Sequence, residues 1–215
     1  MYLFLLLIIP LFTGIVISLD KNYTFRNFIP QAVFALILAT ILCCIKEFFI
    51  YSSHQWIASP ARNFIELFLS SIVLPFVILC PIHFLLLKDD IMYKAAAIFV
   101  LFAIFYAVCI PYSAIAAQER HSMFLLLYRP ILYAGFSLYT SVFFRLASSA
   151  KKSAQLALFA MAFIFSLVAG IVPPLFETFR YFNGESVTLY ALSLAYTIFA
   201  LVLFLLKNAK NKEQY

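Results

Sequence analysis

From Tyr2 to Leu206 the chain is a train of apolar runs, each long enough to cross a bilayer, joined by connectors too short to fold on their own. Few architectures satisfy that pattern. A helix needs about 20 residues to cross ~30 Å of hydrocarbon, and seven stretches qualify: 2–19, 28–50, 60–87, 91–114, 122–147, 154–177 and 187–206. The sequence therefore predicts an all-α fold, a polytopic transmembrane bundle of seven helices forming a single integral membrane domain over 1–215. Composition points the same way. Of the residues, 66% are hydrophobic and 11% charged, against about 45–50% and about 25% in soluble domains. The longest hydrophilic stretches, residues 51–63 and 207–215, are too short to be a catalytic or DNA-binding domain.

The run from Tyr2 to Leu19 has no basic segment before it and no clear small-x-small cleavage site, so it is expected to be a retained helix. Read instead as a signal peptide, it would leave six spans. Orientation follows from the basic residues. One side of the seven-span arrangement carries ten (Lys21, Arg26, Lys88, Lys94, Arg145, Lys151, Lys152, Lys207, Lys210, Lys212) and the other five (Lys46, Arg62, Arg120, Arg129, Arg180). That bias predicts N-out/C-in, in the plasma membrane, or the inner membrane of a bacterium. The net charge of +6 is thus a matter of topology, since the basic residues form no stripe suited to nucleic acid. Membrane lipids are the expected partners, with a partner membrane subunit or homo-oligomer as further possibilities.

Cys43, Cys44, Cys80 and Cys109 lie inside apolar runs with no CxxC or finger spacing, and read as packing residues. No metal, cofactor or catalytic residue is expected. Ala162, Ser166 and Gly170 recur every four residues and give the sixth span a narrow face for close helix packing. Ser59-Pro60 has the pattern of an N-cap followed by proline at the first helical position, and Asn183-Gly184 that of a turn.

The prolines are the most informative residues. Pro10, Pro75, Pro81, Pro111, Pro130, Pro173 and Pro174 fall within spans or near their ends. A proline inside a helix frees the carbonyl four residues earlier, so Pro75 should release Ser71, and Pro173 and Pro174 should release Ala169 and Gly170. Most of these positions fall in the middle or outer half of the expected arrangement. The same half gathers Lys46, Glu47, Glu66, Arg129 and Glu177, with Arg62 one turn before Glu66 on the same helix face. A charge deep in hydrocarbon costs at least about 2.5–3.5 kcal/mol, so such residues face a bundle interior, a wet cavity or the headgroups. Glu66, Arg129, Arg62, Lys46, Glu47 and Glu177 are accordingly the candidate ligand-binding residues, with Glu66 and Arg129 foremost. For Glu66 the simpler role is complementing a helix N-terminus, and for Arg129 sitting at headgroup level beside Tyr128 and Tyr133.

Three function classes fit. The leading one is a membrane-embedded transport or lipid/small-ligand-handling component with an outward-facing polar cavity. A seven-helix sensor or scaffold acting through a partner is the second, although the seventh span lacks a lysine for a retinal Schiff base. An intramembrane hydrolase comes last, because the chain has no HExxH and no GxSxG.

Overall fold

The computed structural model describes residues 59–74, 76, 77, 122–148 and 152–212, together with Val33, Ile37, Ile41 and Cys44. Every regular element among them is helical. In chain order these are α1 (Pro60–Phe68), π1 (Leu69–Val73), π2 (Phe124–Tyr128), α2 (Arg129–Ser148), α3 (Lys152–Ala169), α4 (Val172–Asn183) and α5 (Val187–Lys212). Val33, Ile37, Ile41 and Cys44 are helical and exposed, spaced so that they share one face. The expected spans 2–19 and 91–114, and the side chains of Lys46 and Glu47, lie outside the described residues.

Two described helical stretches are long and apolar enough to cross a membrane, Ala157–Asn183 and Val187–Leu206. The second coincides with the expected seventh span, and its helix runs on through the basic tail to Lys212. The first ends later than the expected 177. Pro173 and Pro174 occupy the first turn of α4, where a missing N–H removes no intrahelical bond. They begin a helix there, which continues to Asn183. Gly184 stops it with a φ of 78°, a value that disfavours a side chain, and its N–H donates to the Arg180 carbonyl at 2.8 Å. Ser186 Oγ then accepts from Leu189 N at 3.2 Å and opens α5. Ser59 caps α1 in the same way, accepting from Arg62 N at 3.3 Å.

Between α3 and α4 the chain turns at Gly170 and Ile171, as the proline pair requires. The carbonyl of Ala169 is taken up by the Tyr196 hydroxyl of α5 at 2.8 Å. The freed acceptor is thus satisfied by a neighbouring helix, the usual solution where water is excluded. A side chain at Gly170 would meet Ile72 and Phe136, its Cβ lying 2.5 Å from Ile72 Cγ2. With Ala162 and Ser166 also buried, the small-residue face packs inside the chain.

Helix α2 is central. It packs against α3 on one side and α5 on another, and Leu132 through Val142 are buried without a break. A helix buried all round cannot show a polar stripe, and the polar residues of α2 are hidden differently. Ser137, Thr140 and Ser141 donate to the carbonyls of Tyr133, Phe136 and Leu138, as Ser166 and Ser193 do to Ala162 and Leu189. Phe76 fills the angle between helices, its ring 5.0 Å from Phe163, 5.9 Å from Phe144 and 6.3 Å from Phe136. The outer faces of α3 and α5 expose Ile164, Phe165, Val168, Ile198 and Phe199. Apolar surface on that scale suits lipid.

Candidate functional site

Two five-residue π-helical segments stand beside the deepest charges, and each is followed closely by a proline. In π1 the N–H of Leu74 reaches back five residues to Leu69, and Pro75 follows; in π2 the N–H of Arg129 reaches back to Phe124, and Pro130 follows. The coincidence has a steric reason. A proline ring crowds the carbonyl of the preceding turn and offers it no donor, so widening that turn relieves the crowding and re-aims the side chains on it. Arg129 is the residue so re-aimed. At 2% exposure it is enclosed by the bundle.

Its partner is Glu177 of α4, itself buried. Arg129 Nε donates to Glu177 Oε1 at 2.9 Å, with the two side chains only 3% and 6% exposed. The Tyr133 hydroxyl, one turn further along α2, donates to the same oxygen at 2.9 Å, and the Arg129 Cζ lies 5.9 Å from the Tyr133 ring. Ser71, buried in π1, lies beside the Tyr133 hydroxyl. Two helices distant in sequence thus meet at one carboxylate, with π1 beside the phenol. Desolvating each ion costs several kcal/mol, which attraction offsets only where the geometry is good and further hydrogen bonds are supplied. The phenol and the flat guanidinium supply them.

Glu66 takes a different partner. Its carboxylate accepts from Arg62 Nε at 3.3 Å, one turn back on α1, as the spacing predicts. Arg62 is 61% exposed, so the pair lies at the rim. Arg62→Ala should therefore change the unfolding free energy by less than about 1 kcal/mol, which thermal melts in matched nanodiscs would measure. Of the six candidates, the structure joins Arg129 to Glu177 and Arg62 to Glu66; Lys46 and Glu47 fall outside the described residues.

A second polar cluster lies at the turn between α4 and α5. Glu185 accepts hydrogen bonds from the Ser122 and Tyr190 hydroxyls, one on each carboxylate oxygen, and Arg180 Nη1 donates to Ser122 Oγ at 3.5 Å. Ser122 also caps the helix leading into π2, accepting from Leu125 N at 3.1 Å. Tyr128 and Tyr190 stack beside it with ring centroids 4.4 Å apart. This cluster ties the start of the Arg129 helix to the end of the Glu177 helix. Sequence reading misses it because Ser122 and Glu185 are 63 residues apart and each resembles an ordinary connector residue.

Tyr133 likewise reads, in the sequence, only as an aromatic neighbour of Arg129. Asn63 and Thr178, both buried, carry no signal beyond their place on helices that also hold Glu66 and Glu177. No protein-family model matches the chain, and no curated protein or solved structure is significantly similar to it.

Proposed function

We propose that this chain is a membrane-embedded transport or lipid/small-ligand-handling component, a multi-pass protein of the plasma membrane lying N-out/C-in, with Arg129, Glu177 and Tyr133 as the polar centre of its site. One observation carries the proposal: a buried ion pair, its side chains 3% and 6% exposed, joining α2 to α4 inside the bundle. Holding two helices together does not require it. Apolar residues of similar volume generally do that as well or better, and intramembrane ionisable residues are characteristically found on substrate and ion pathways. The π segments on either side favour the same reading, since such widened turns concentrate at functional sites. In this reading Arg62 and Glu66 form the outer rim, and Arg129 with Glu177 the inner station.

Exchanging the charges separates recognition from architecture. The Arg129→Glu/Glu177→Arg double variant should regain most of the thermal stability that either single change removes, because the pair is restored. It should still lose at least about tenfold in retention of the lipid or small molecule that accompanies the wild-type chain through nanodisc purification, read by native mass spectrometry, a factor equivalent to about 1.4 kcal/mol. Retention equal to wild type in a stable, charge-exchanged chain would show the pair to be architecture alone.

A further inference from the structure

The buried polar groups beside the ion pair are not all satisfied by protein. Thr178 follows Glu177 on α4 and is 6% exposed, and Asn63 on α1 is 4% exposed. Neither Thr178 Oγ1 nor Asn63 Nδ2 has a hydrogen-bond partner among the described residues. The threonine is conspicuous, because Thr140 and Thr197 both turn back onto the carbonyl four residues earlier and Thr178 does not. Glu177 contributes a third group: both of its hydrogen bonds end on Oε1, so among the described residues Oε2 accepts none.

These groups lie at one level of the bundle. Ile72 packs at Gly170, and α1, which precedes Ile72, packs along α4, which follows Gly170. The two helices therefore run antiparallel from that contact. With a rise of about 1.5 Å per residue, Asn63 comes level with Thr178 and Phe179. Leaving buried polar atoms unmatched is costly, and the cost grows where no water competes. Two such atoms, one on the residue that follows a half-used carboxylate and one on the helix packed along it, describe a receptor for something else.

From this we infer that Asn63, Thr178 and Glu177 Oε2 form a subsite for a zwitterion in which a primary ammonium adjoins an oxygen acceptor, either an ethanolamine-type lipid headgroup or its free water-soluble counterpart. The inference rests on the ligand-handling reading above. The chemistry sets the class. Asn63 Nδ2 can only donate and Glu177 Oε2 can only accept, so the ligand brings both an acceptor and a donor. Glu177 is already neutralised by Arg129, so a ligand of net charge would add an uncompensated charge in a low dielectric, whereas a zwitterion adds none. A quaternary amine has no N–H for Oε2, so choline analogues are excluded.

The test uses the full chain reconstituted from vesicles of equal phosphatidylethanolamine and phosphatidylcholine, followed by native mass spectrometry. Equilibrium dialysis of glycerophosphoethanolamine against glycerophosphocholine, with the chain in phosphatidylcholine nanodiscs, forms the second arm. The expected result is at least tenfold preference for the primary amine in one arm, and which arm shows it identifies the source. Asn63→Leu/Thr178→Val should abolish the preference. Thr178→Val keeps the side-chain volume, and it should melt no lower than wild type in phosphatidylcholine alone while losing the stabilisation that the primary-amine ligand gives wild type. Equal binding of amine and choline forms, or a preference unchanged in the double variant, overturns the subsite, and so does satisfaction of these atoms by water alone. If the Asn63/Thr178 variant binds as wild type while Arg129→Glu/Glu177→Arg does not, the subsite fails and the ligand-handling reading stands. If both bind as wild type, both fail.

Discussion

Replacing Arg129 with methionine should cost the bundle about 3–5 kcal/mol, because it leaves the Glu177 carboxylate buried with one neutral donor, Tyr133, in place of a charged partner. The size of the effect comes mainly from what is left behind. An ionised carboxylate in that position must draw in water, take up a proton or pull α4 toward the surface, and each response loosens the packing of α2 on α4. Removing both charges should cost much less. Arg129→Met/Glu177→Met is expected to recover more than half of the loss, since packed apolar side chains replace a buried pair at little net penalty. Thermal unfolding of the four chains in one nanodisc composition forms a double-mutant cycle, and the coupling energy isolates the pair. A double variant as unstable as the single one would show that Arg129 acts through neighbours other than Glu177. Arg129→Lys belongs beside them, because a lysine keeps the charge but cannot reproduce the planar donor set that faces Glu177.

How far the site can be read from sequence depends on the distance over which each signal acts. Local rules serve well. Ser59-Pro60 caps α1, Asn183-Gly184 ends α4, Arg62 pairs with Glu66 one turn away, and the Pro173-Pro174 pair frees the Ala169 carbonyl. Each depends on neighbours within about one helical turn, which spacing alone supplies. Arg129 and Glu177 can be identified as charges in apolar runs, but their pairing cannot, because they lie 48 residues apart and nothing local specifies which helices meet. Ranking Glu66 above Glu177 follows from the same blindness: Glu66 has a visible neighbour, and Glu177 has one only after folding. That the helix runs past the expected end of the sixth span, to Asn183, has a related reason. Two prolines signal a break, yet whether they close one helix or open the next depends on the turn that precedes them, and Gly170 and Ile171 make that turn. The π segments show the limit most clearly. The sequence supplies the proline after Leu74 and after Arg129, whereas the widened turn also depends on what the re-aimed side chain meets.

The bundle tolerates an arginine at its centre only because the helices around it approach closely, and Gly135 marks one such close approach. A Cβ built on Gly135 would lie 2.8 Å from Thr197 Oγ1, 3.1 Å from Thr197 Cα and 3.1 Å from the Tyr196 ring. The nearness of the Thr197 backbone decides the outcome. A side-chain hydroxyl can rotate away, but the backbone of α5 moves only if the whole helix shifts. Gly135→Val should therefore push α2 and α5 apart, with an overpacking cost of about 1–3 kcal/mol. The same displacement would break the hydrogen bond from Thr197 Oγ1 to the Ile131 carbonyl, now 2.9 Å, and strain that from Tyr139 to the Tyr196 carbonyl across the same seam. Losing one buried bond adds about 1 kcal/mol, for a total of about 2–4 kcal/mol. Better helix propensity opposes this by less than about 1 kcal/mol, so the steric cost wins. Gly135→Ala sits nearer the balance and should fall between wild type and Gly135→Val in a thermal melt. The displaced α5 carries Tyr190 and its bond to Glu185, which also holds Ser122 at the start of the Arg129 helix. Gly135→Val should therefore weaken ligand retention as well as stability, although it lies on the face of α2 that meets α5. A valine variant that melts with wild type would mean that α2 and α5 separate freely, and the rigid seam on which the buried ion pair depends would have to be abandoned.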